Sequence, residues 1–186
     1  MLPLTSLWLP ILLSAVFVFI ASSVIHMAPL WHKGDLSAVP RQEELRVALR
    51  PMALPPGEYM LPFCADRKEF GSPQFAEKMR QGPVARMTVL RNEPISMARP
   101  LVLWFVYLLV VGCFVAVILG HVLPAGTPYL RVFKLAGVTS FMGYALGLAQ
   151  NSIWLSRPWL HTAKGWLDGA IYAALTAGTF GWLWPH

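Results

Sequence analysis

The run from Leu101 to Leu123, LVLWFVYLLVVGCFVAVILGHVL, contains neither an acidic residue nor a lysine or arginine. An α-helix needs about 20 apolar residues to cross a hydrocarbon core of about 30 Å, so this run is long enough to span a bilayer. Its apolar residues lie on every side of a helix, which argues against a helix that rests on a membrane surface. The run therefore predicts a membrane-spanning helix, and it decides the class of fold.

Three further runs have the same character, and they cover residues 7–28, 132–154 and 160–184. Of the 186 residues, 56% are hydrophobic and 13% are charged, and the mean hydropathy is +0.53. Soluble domains carry about 25% charged residues, so this excess of apolar residues suits lipid. Because the first run is not preceded by a basic residue and exceeds a signal-peptide core in length, we interpret it as a retained span. We predict an all-α membrane protein with four transmembrane helices.

Residues 30–98, between the first two spans, are more polar and predict a small α+β cap outside the membrane. Helices are expected at 41–49 and after Ser72-Pro73, where a capping residue is followed by proline in the first turn. The composition of 58–63 and 84–90 is typical of strands. A unit of this size buries little surface, so we expect it to be marginally stable alone.

The basic residues are unevenly distributed along the chain. Of the 15 lysines and arginines, only Arg131 and Lys134 lie near the junction of the second and third spans, and all the others lie on the opposite side. The positive-inside rule therefore predicts a cytoplasmic cap and periplasmic termini. The net charge of +6 is not accompanied by a nucleic-acid-binding motif, so we expect the lipid bilayer and its anionic headgroups, rather than nucleic acid, as partners of the basic cap.

Small residues recur at i, i+4 spacing on three of the four spans. Such strips let helix backbones approach closely where lipid offers no hydrophobic drive for association. They predict a compact bundle, and they leave open whether the partner helix belongs to this chain, to a second copy or to another membrane protein. The residues are Gly112, Ala116 and Gly120 on the second span, Gly143 and Gly147 on the third, and Gly165, Gly169, Ala173, Ala177 and Gly181 on the fourth.

Two histidines flank Pro29 in the stretch HMAPLWHKGD, residues 26–35. His26 and His32 are six positions apart, which is neither the i+3 nor the i+4 spacing that places two ligands on one helical face. Only a turn at Pro29 could bring the rings together, and a third ligand is not close in sequence. We therefore expect a helix exit, with Trp31 as an interfacial anchor, rather than a metal site, and we predict no cofactor.

Up-and-down threading of the spans nevertheless places polar residues from different helices at one membrane level. Asp168 is the only acid within a predicted span, and ionisable residues there are costly and usually functional. We expect Asp168 to be structural, held by the helix N-terminus and by Lys164, His161 or Asn151. The full candidate cluster is His26, Gln150, Asn151, His161, Lys164, Asp168 and Tyr172.

Three stretches carry a resemblance to known proteins: IASSVIHMAPLWHKGD at 20–35, FCADRKEFGSPQFAEKMRQGP at 63–83 and DGAIYAALTAGTFGWLWPH at 168–186. With these stretches the chain resembles, along nearly its whole length, a group of small bacterial inner-membrane proteins of unassigned function. The resemblance implies a location in the bacterial inner membrane. It supplies no catalytic residue that could be transferred to this sequence.

Three classes of function are compatible with these observations. The absence of a catalytic motif beside good packing faces favours a non-enzymatic accessory or scaffold subunit that binds a partner or itself. The polar cluster favours instead an oligomeric transporter or a small-ligand-binding protein. The third class is an enzyme that uses His26, His32 and Asp168.

The predicted orientation can be tested with reporter fusions. If residues 30–98 are cytoplasmic, a fusion at residue 60 should activate a cytoplasmic reporter, and fusions at residues 126 and 186 should activate a periplasmic one. A periplasmic reporter that is active at residue 60 would reverse the orientation.

Overall fold

The computed structural model describes residues 2–28, 31–66 and 68–186. The chain forms two compact units. We call residues 1–36 with 96–186 the helical unit and residues 37–95 the polar unit. In chain order the elements are α1 (Trp8–Met27), α2 (Gln42–Leu49), β1 (Gly57–Leu61), α3 (Pro73–Gln81), β2 (Ala85–Val89), α4 (Ala98–Val122), α5 (Tyr129–Tyr144), α6 (Ala149–Leu155) and α7 (Trp159–Trp182).

Three stretches of the helical unit are long and apolar enough to cross a membrane. They are Leu4–Met27, Ala98–Val122 and Tyr129–Leu155, with 24, 25 and 27 residues and mean hydropathies of 2.3, 2.9 and 1.4. Each exceeds the length of about 20 residues that the hydrocarbon core requires. The prediction of helices long and apolar enough to span a membrane is confirmed for these three stretches.

The fourth predicted span, 160–184, corresponds to α7 and is not confirmed. With 24 residues α7 is long enough, but it carries polar and small residues along much of its length. Several of these side chains, including Asp168, Tyr172 and Thr176, are buried within the helical unit. The modest hydropathy of α7 therefore reflects a face that is turned toward neighbouring helices.

The closest packing in the helical unit involves the glycines of α7. A Cβ atom added to Gly169 would lie 2.4 Å from the Cβ of Ala145, and one added to Gly165 would lie 2.7 Å from Leu148 Cδ1. The Ala145 Cβ is fixed to the backbone and leaves no room for a methyl group at Gly169, whereas the end of the Leu148 side chain could move away from Gly165. The absence of a side chain at Gly169 is therefore what permits the close approach of α7 to the segment that follows α5.

All the other predicted small-residue positions except Gly147 also lie against other residues of the chain. Gly112 lies against Ile11 of α1, and Gly120 lies against Leu2 and Leu7 just before α1. Gly143 faces Val111 of α4, and Gly181 faces the ring of Tyr129. The alanines of the same strips are buried, whereas a Cβ added to Gly147 would meet no described atom within 4 Å. The partner helices of these strips thus belong to the same chain. The buried alanines are Ala116, Ala173 and Ala177.

The third predicted span, 132–154, is not one continuous helix. α5 ends at Tyr144, a short 3-10 turn follows at Leu146–Leu148, and α6 begins at Ala149. A helix break frees backbone carbonyl groups, which are costly in lipid unless another group satisfies them. Here the indole of Trp166 donates a hydrogen bond to the Ala145 carbonyl at 3.1 Å, and the Tyr107 hydroxyl donates one to the Gly143 carbonyl.

The polar unit contains the predicted small sheet. β1 and β2 pair in antiparallel fashion, with Gly57 opposite Val89 and Leu61 opposite Ala85. Ser72 caps α3 by accepting a hydrogen bond from the Phe75 amide at 3.1 Å, as the Ser-Pro pair predicts. None of the described residues of this unit is buried, in agreement with a unit of low intrinsic stability.

We predict that Gly169→Ala destabilises the helical unit, because the new methyl group would meet Ala145 at 2.4 Å. Overpacking of this kind costs about 1–3 kcal/mol. The measurement is thermal unfolding of the purified protein in detergent. Gly147→Ala is the matched control, since its site is open, and it should melt at or slightly above the wild-type temperature. Equal melting temperatures for the two variants would contradict the packing described here.

Candidate functional site

Polar side chains converge where α1 ends and α7 begins. His26 belongs to the last turn of α1. Trp31, His32 and Asp35 lie in the turns that follow, and Asp168 lies in the first half of α7. All five residues belong to the helical unit.

The Asp168 carboxylate is buried, with 5% of the residue exposed, and both of its oxygens have partners. Oδ1 accepts a hydrogen bond from the Trp31 indole at 2.8 Å, and Oδ2 lies 2.8 Å from Nε2 of His32. We expected Lys164, His161 or Asn151 to hold this carboxylate. The partners come instead from the segment after α1, because that segment places two donors over the start of α7.

His32 connects Asp168 to a second acid. Nδ1 of His32 lies 2.7 Å from Oδ2 of Asp35, and the ammonium group of Lys164 binds the other Asp35 oxygen. His161 Nε2 is 3.9 Å from that same oxygen. The result is a continuous series of hydrogen bonds from Asp168 through His32 and Asp35 to Lys164.

These contacts shift the pKa values of His32 and Asp35. Burial lowers the pKa of His32, but the hydrogen bonds and negative charges of Asp35 and Asp168 more than offset it, so the pKa is raised above its usual value of 6.5. The hydrogen bonds from Lys164 and then from His32 lower the pKa of Asp35 to about 2. Asp35 is therefore ionised at neutral pH.

The ring of His26 stacks on the ring of His32. The ring centroids are 4.7 Å apart and the ring planes differ by 14°. Nδ1 of His26 lies 2.9 Å from the Ser22 carbonyl oxygen, which can only accept a hydrogen bond, so Nδ1 is the donor and Nε2 is not engaged in this bond. The predicted turn at Pro29 lies outside the described residues, but the approach of the two rings that it would allow is present.

His26, His32 and Asp168 together form a group that could hold a metal ion. One potential ligand atom of each residue lies within 4.8 Å of those of the other two. Two imidazoles and one carboxylate are a donor set that zinc accepts in sites with an open coordination position. The sequence analysis grouped these three residues only for an enzyme, its third class of function, and predicted no metal site, because no third ligand lies close to the two histidines along the chain.

A cavity of about 700 Å³ adjoins this group. Ligand pockets in proteins commonly have volumes of about 300–1,000 Å³, so the cavity could hold a small molecule. Its lining includes the cluster described above together with residues of the turn before α7. The polar and charged residues of the lining are His26, His32, Asp35, Asn151, Arg157, His161, Thr162 and Asp168.

The structure brings most, but not all, of the predicted cluster to this cavity. His26, Asn151, His161 and Asp168 line it, and Lys164 contacts it through Asp35. Gln150 is exposed on α6 and is not part of the lining. Tyr172 lies in the core, where its ring packs edge-on against Trp104 and Tyr144 at 6.0 and 5.9 Å.

Five hydrogen-bonding or charged residues of the site were not among the predicted cluster: Trp31, His32, Asp35, Arg157 and Thr162. Trp31 had been interpreted as a membrane-interface anchor, but it donates a hydrogen bond to Asp168. Asp35 and Arg157 lie in turns and were assigned no role. A signal was available for Asp35, since an acid three positions after His32 can orient an imidazole, whereas the sequence around Arg157 gave none.

No family model, curated protein or solved structure matches this chain. The geometry of the site is therefore the basis for the functional proposal.

Substitutions at Asp168 should separate loss of charge from loss of hydrogen bonding. Asp168→Leu leaves the Trp31 indole and His32 without their buried partner, and we expect a loss of unfolding free energy on the order of 2 kcal/mol. Asp168→Asn can still accept from Trp31 and donate to a neutral His32, so it should lose much less. Thermal unfolding in detergent measures both variants, and equal stabilities would show that these hydrogen bonds do not hold the site.

Proposed function

We propose that this chain is a bacterial inner-membrane protein that binds a small anionic ligand in the cavity at the junction of α1 and α7. In this proposal α7 is a fourth spanning helix, and it presents its polar face to the protein rather than to lipid. The chain leaves α1 at the cavity and continues into residues 30–98, which carry most of the lysines and arginines and which we call the basic segment. The positive-inside rule therefore assigns the cavity to the cytoplasmic side. Ligand binding was the alternative to a scaffold role in the sequence, and the assembled site now favours it.

The observation that supports an anionic ligand is the distribution of charge in the cavity lining. Both carboxylates already have cationic or hydrogen-bonding partners: Asp168 has Trp31 and His32, and Asp35 has Lys164. Arg157, in contrast, is exposed, and no described acid lies within ion-pair distance of it. The charge that remains free for a ligand is therefore positive.

The position of Arg157 is suited to an anion. It lies in the turn between α6 and α7, and its amide is held by the Asn151 carbonyl at 3.2 Å. A guanidinium group forms paired hydrogen bonds with carboxylate or phosphate oxygens. The nearby N-terminus of α7 adds a positive potential of the same sign.

The scaffold hypothesis has lost one of its two supports. It relied on small-residue faces and on the basic segment as surfaces for a partner. The small-residue faces are occupied by helices of the same chain, as the close approaches at Gly165 and Gly169 illustrate. A partner or a second copy would therefore have to bind through the basic segment or through the apolar outer surface of the helices.

We expect inorganic phosphate or citrate to raise the melting temperature of the full chain in detergent, compared with chloride at equal ionic strength. A ligand that binds only the folded state stabilises it by an amount that grows with its concentration relative to Kd. The fixed ionic strength removes general screening effects. Arg157→Gln should abolish the rise in melting temperature.

Arg131→Gln is the matched control, because Arg131 is also an exposed arginine at a helix start but lies at α5, outside the cavity lining. This variant should respond to the anions as the wild type does. The proposal fails if neither anion raises the melting temperature, or if Arg157→Gln responds fully.

A further inference from the structure

We propose that His26, His32 and Asp168 bind a divalent transition metal ion of the zinc type at the floor of the cavity. The inference deepens the proposed function, because the metal would help to bind the anionic ligand and this role rests on that function. Metal binding itself can be measured without any anionic ligand, so the two proposals can fail separately.

The donor atoms are already near the arrangement that a metal requires. One ligand atom of each residue lies within 4.8 Å of the other two. Donors at about 2.0–2.1 Å from a tetrahedral zinc ion are about 3.3 Å apart, so a shift of at most roughly 1.5 Å, together with a rotation of the His26 ring out of its stack on His32, completes the set. His32 and Asp168 are closer than this, at 2.8 Å, and the remaining shift falls to the exposed His26 ring at the end of α1.

Each of the three ligands is held by a second group that leaves one donor atom free. Nδ1 of His26 donates to the Ser22 carbonyl, and Nδ1 of His32 faces Asp35. Oδ1 of Asp168 accepts from Trp31. The atoms not engaged by these second groups are Nε2 of both histidines and Oδ2 of Asp168, and of these His32 Nε2 and Asp168 Oδ2 bond to each other in the metal-free protein.

Such outer hydrogen bonds are typical of metal sites, where they fix the tautomer and orientation of ligating histidines and increase their basicity. The carboxylate of Asp35 behind His32 is an example of the carboxylate–histidine pair found next to zinc. A purely structural ion pair would require a partner for Asp168 but would not require the second imidazole of His26 beside His32.

In the metal-free protein, the gap between His32 Nε2 and Asp168 Oδ2 is bridged by a proton. The metal takes the place of that proton, which passes to solvent when the ion binds. The ligand set is then two neutral imidazoles and one carboxylate, and a fourth position is open toward the cavity.

The charge balance connects the metal to the anionic ligand. Asp35 and Asp168 contribute two negative charges, and Lys164 contributes one positive charge. A divalent ion makes this group net positive, and Arg157 adds to the positive potential on the cavity wall. The open coordination position would therefore attract water or an oxygen of the anion.

The test uses the full chain without a polyhistidine tag, purified in detergent, stripped with a chelator and titrated with zinc in chloride buffer. We expect one zinc ion per chain by calorimetry and by elemental analysis. Cobalt(II) in the same site should produce the visible absorption of a four-coordinate ion. His26→Ala should weaken zinc binding by about 100-fold or more, and because His26 is exposed this change should leave the fold intact.

His121→Ala is the matched control. His121 lies in the last turn of α4, and its Nδ1 bonds the Val117 carbonyl four residues earlier at 2.7 Å, as His26 bonds Ser22. It belongs to no described ligand group, so this variant should bind zinc as the wild type does. Asp35→Asn keeps all three ligands and should weaken binding by about 10–100-fold through the outer shell alone.

The metal proposal is overturned if the folded wild type binds no zinc, or if His26→Ala binds it as tightly as His121→Ala. A phosphate-induced rise in melting temperature that persists without zinc binding would reject the metal and retain the anion site. Zinc binding without any anion effect, even in the zinc-loaded protein, would reject the proposed function and retain the metal site.

Discussion

The hydrogen bonds between the Asp168 carboxylate and the segment after α1 are the interaction on which the organisation of the site depends. A buried carboxylate without partners costs several kcal/mol, so the chain must supply donors at that position. Trp31 and His32 supply them, which brings the end of α1 over the start of α7. His32 in turn requires an acceptor for its other nitrogen, and Asp35 meets that requirement while binding Lys164. One buried charge thereby orders a series of polar residues.

Close backbone packing determines where the cavity can form. α7 approaches the break after α5 so closely that Gly169 has no space for a methyl group next to Ala145. Beyond this contact the chain turns through Leu146–Leu148 into α6, and Leu148 and Gly165 become part of the cavity wall. The break after α5 and the glycines of α7 therefore act together. On one side of their contact the helices form a tightly packed core, and on the other side they leave an open polar cavity.

The two proposals depend on the same electrostatic arrangement. Without a metal, the acids of the cavity are neutralised by neighbouring donors and Arg157 carries the free positive charge. With a divalent ion at His26, His32 and Asp168, the floor of the cavity also becomes positive and gains an open coordination position. An anion would then contact the guanidinium group at the cavity wall and the metal at the floor, which would increase both its affinity and its selectivity.

Local patterns in the sequence were sufficient to predict most of the elements, although not the break between α5 and α6. Apolar runs predicted the three stretches that are long and apolar enough to span a membrane, since crossing lipid depends on the composition of a contiguous stretch. Ser72-Pro73 predicted the start of α3, and the two strands were expected near their observed positions, because caps and strand composition act over a few residues. Asp168 was identified as exceptional for the same reason: one acid stands out in an apolar run.

Only the tertiary structure decided what Asp168 contacts and what the site can bind. Its partners are separated from it by 137 and 136 positions along the chain, so no local spacing relates them. The stacking of His26 on His32, six positions apart, does not follow from helical periodicity. The break after Tyr144 follows no proline, and it is stabilised by hydrogen bonds from Tyr107 and Trp166 of other helices. Sequence alone determined which segments are apolar and which residues are costly to bury, whereas the packing of distant helices decided how that cost is met.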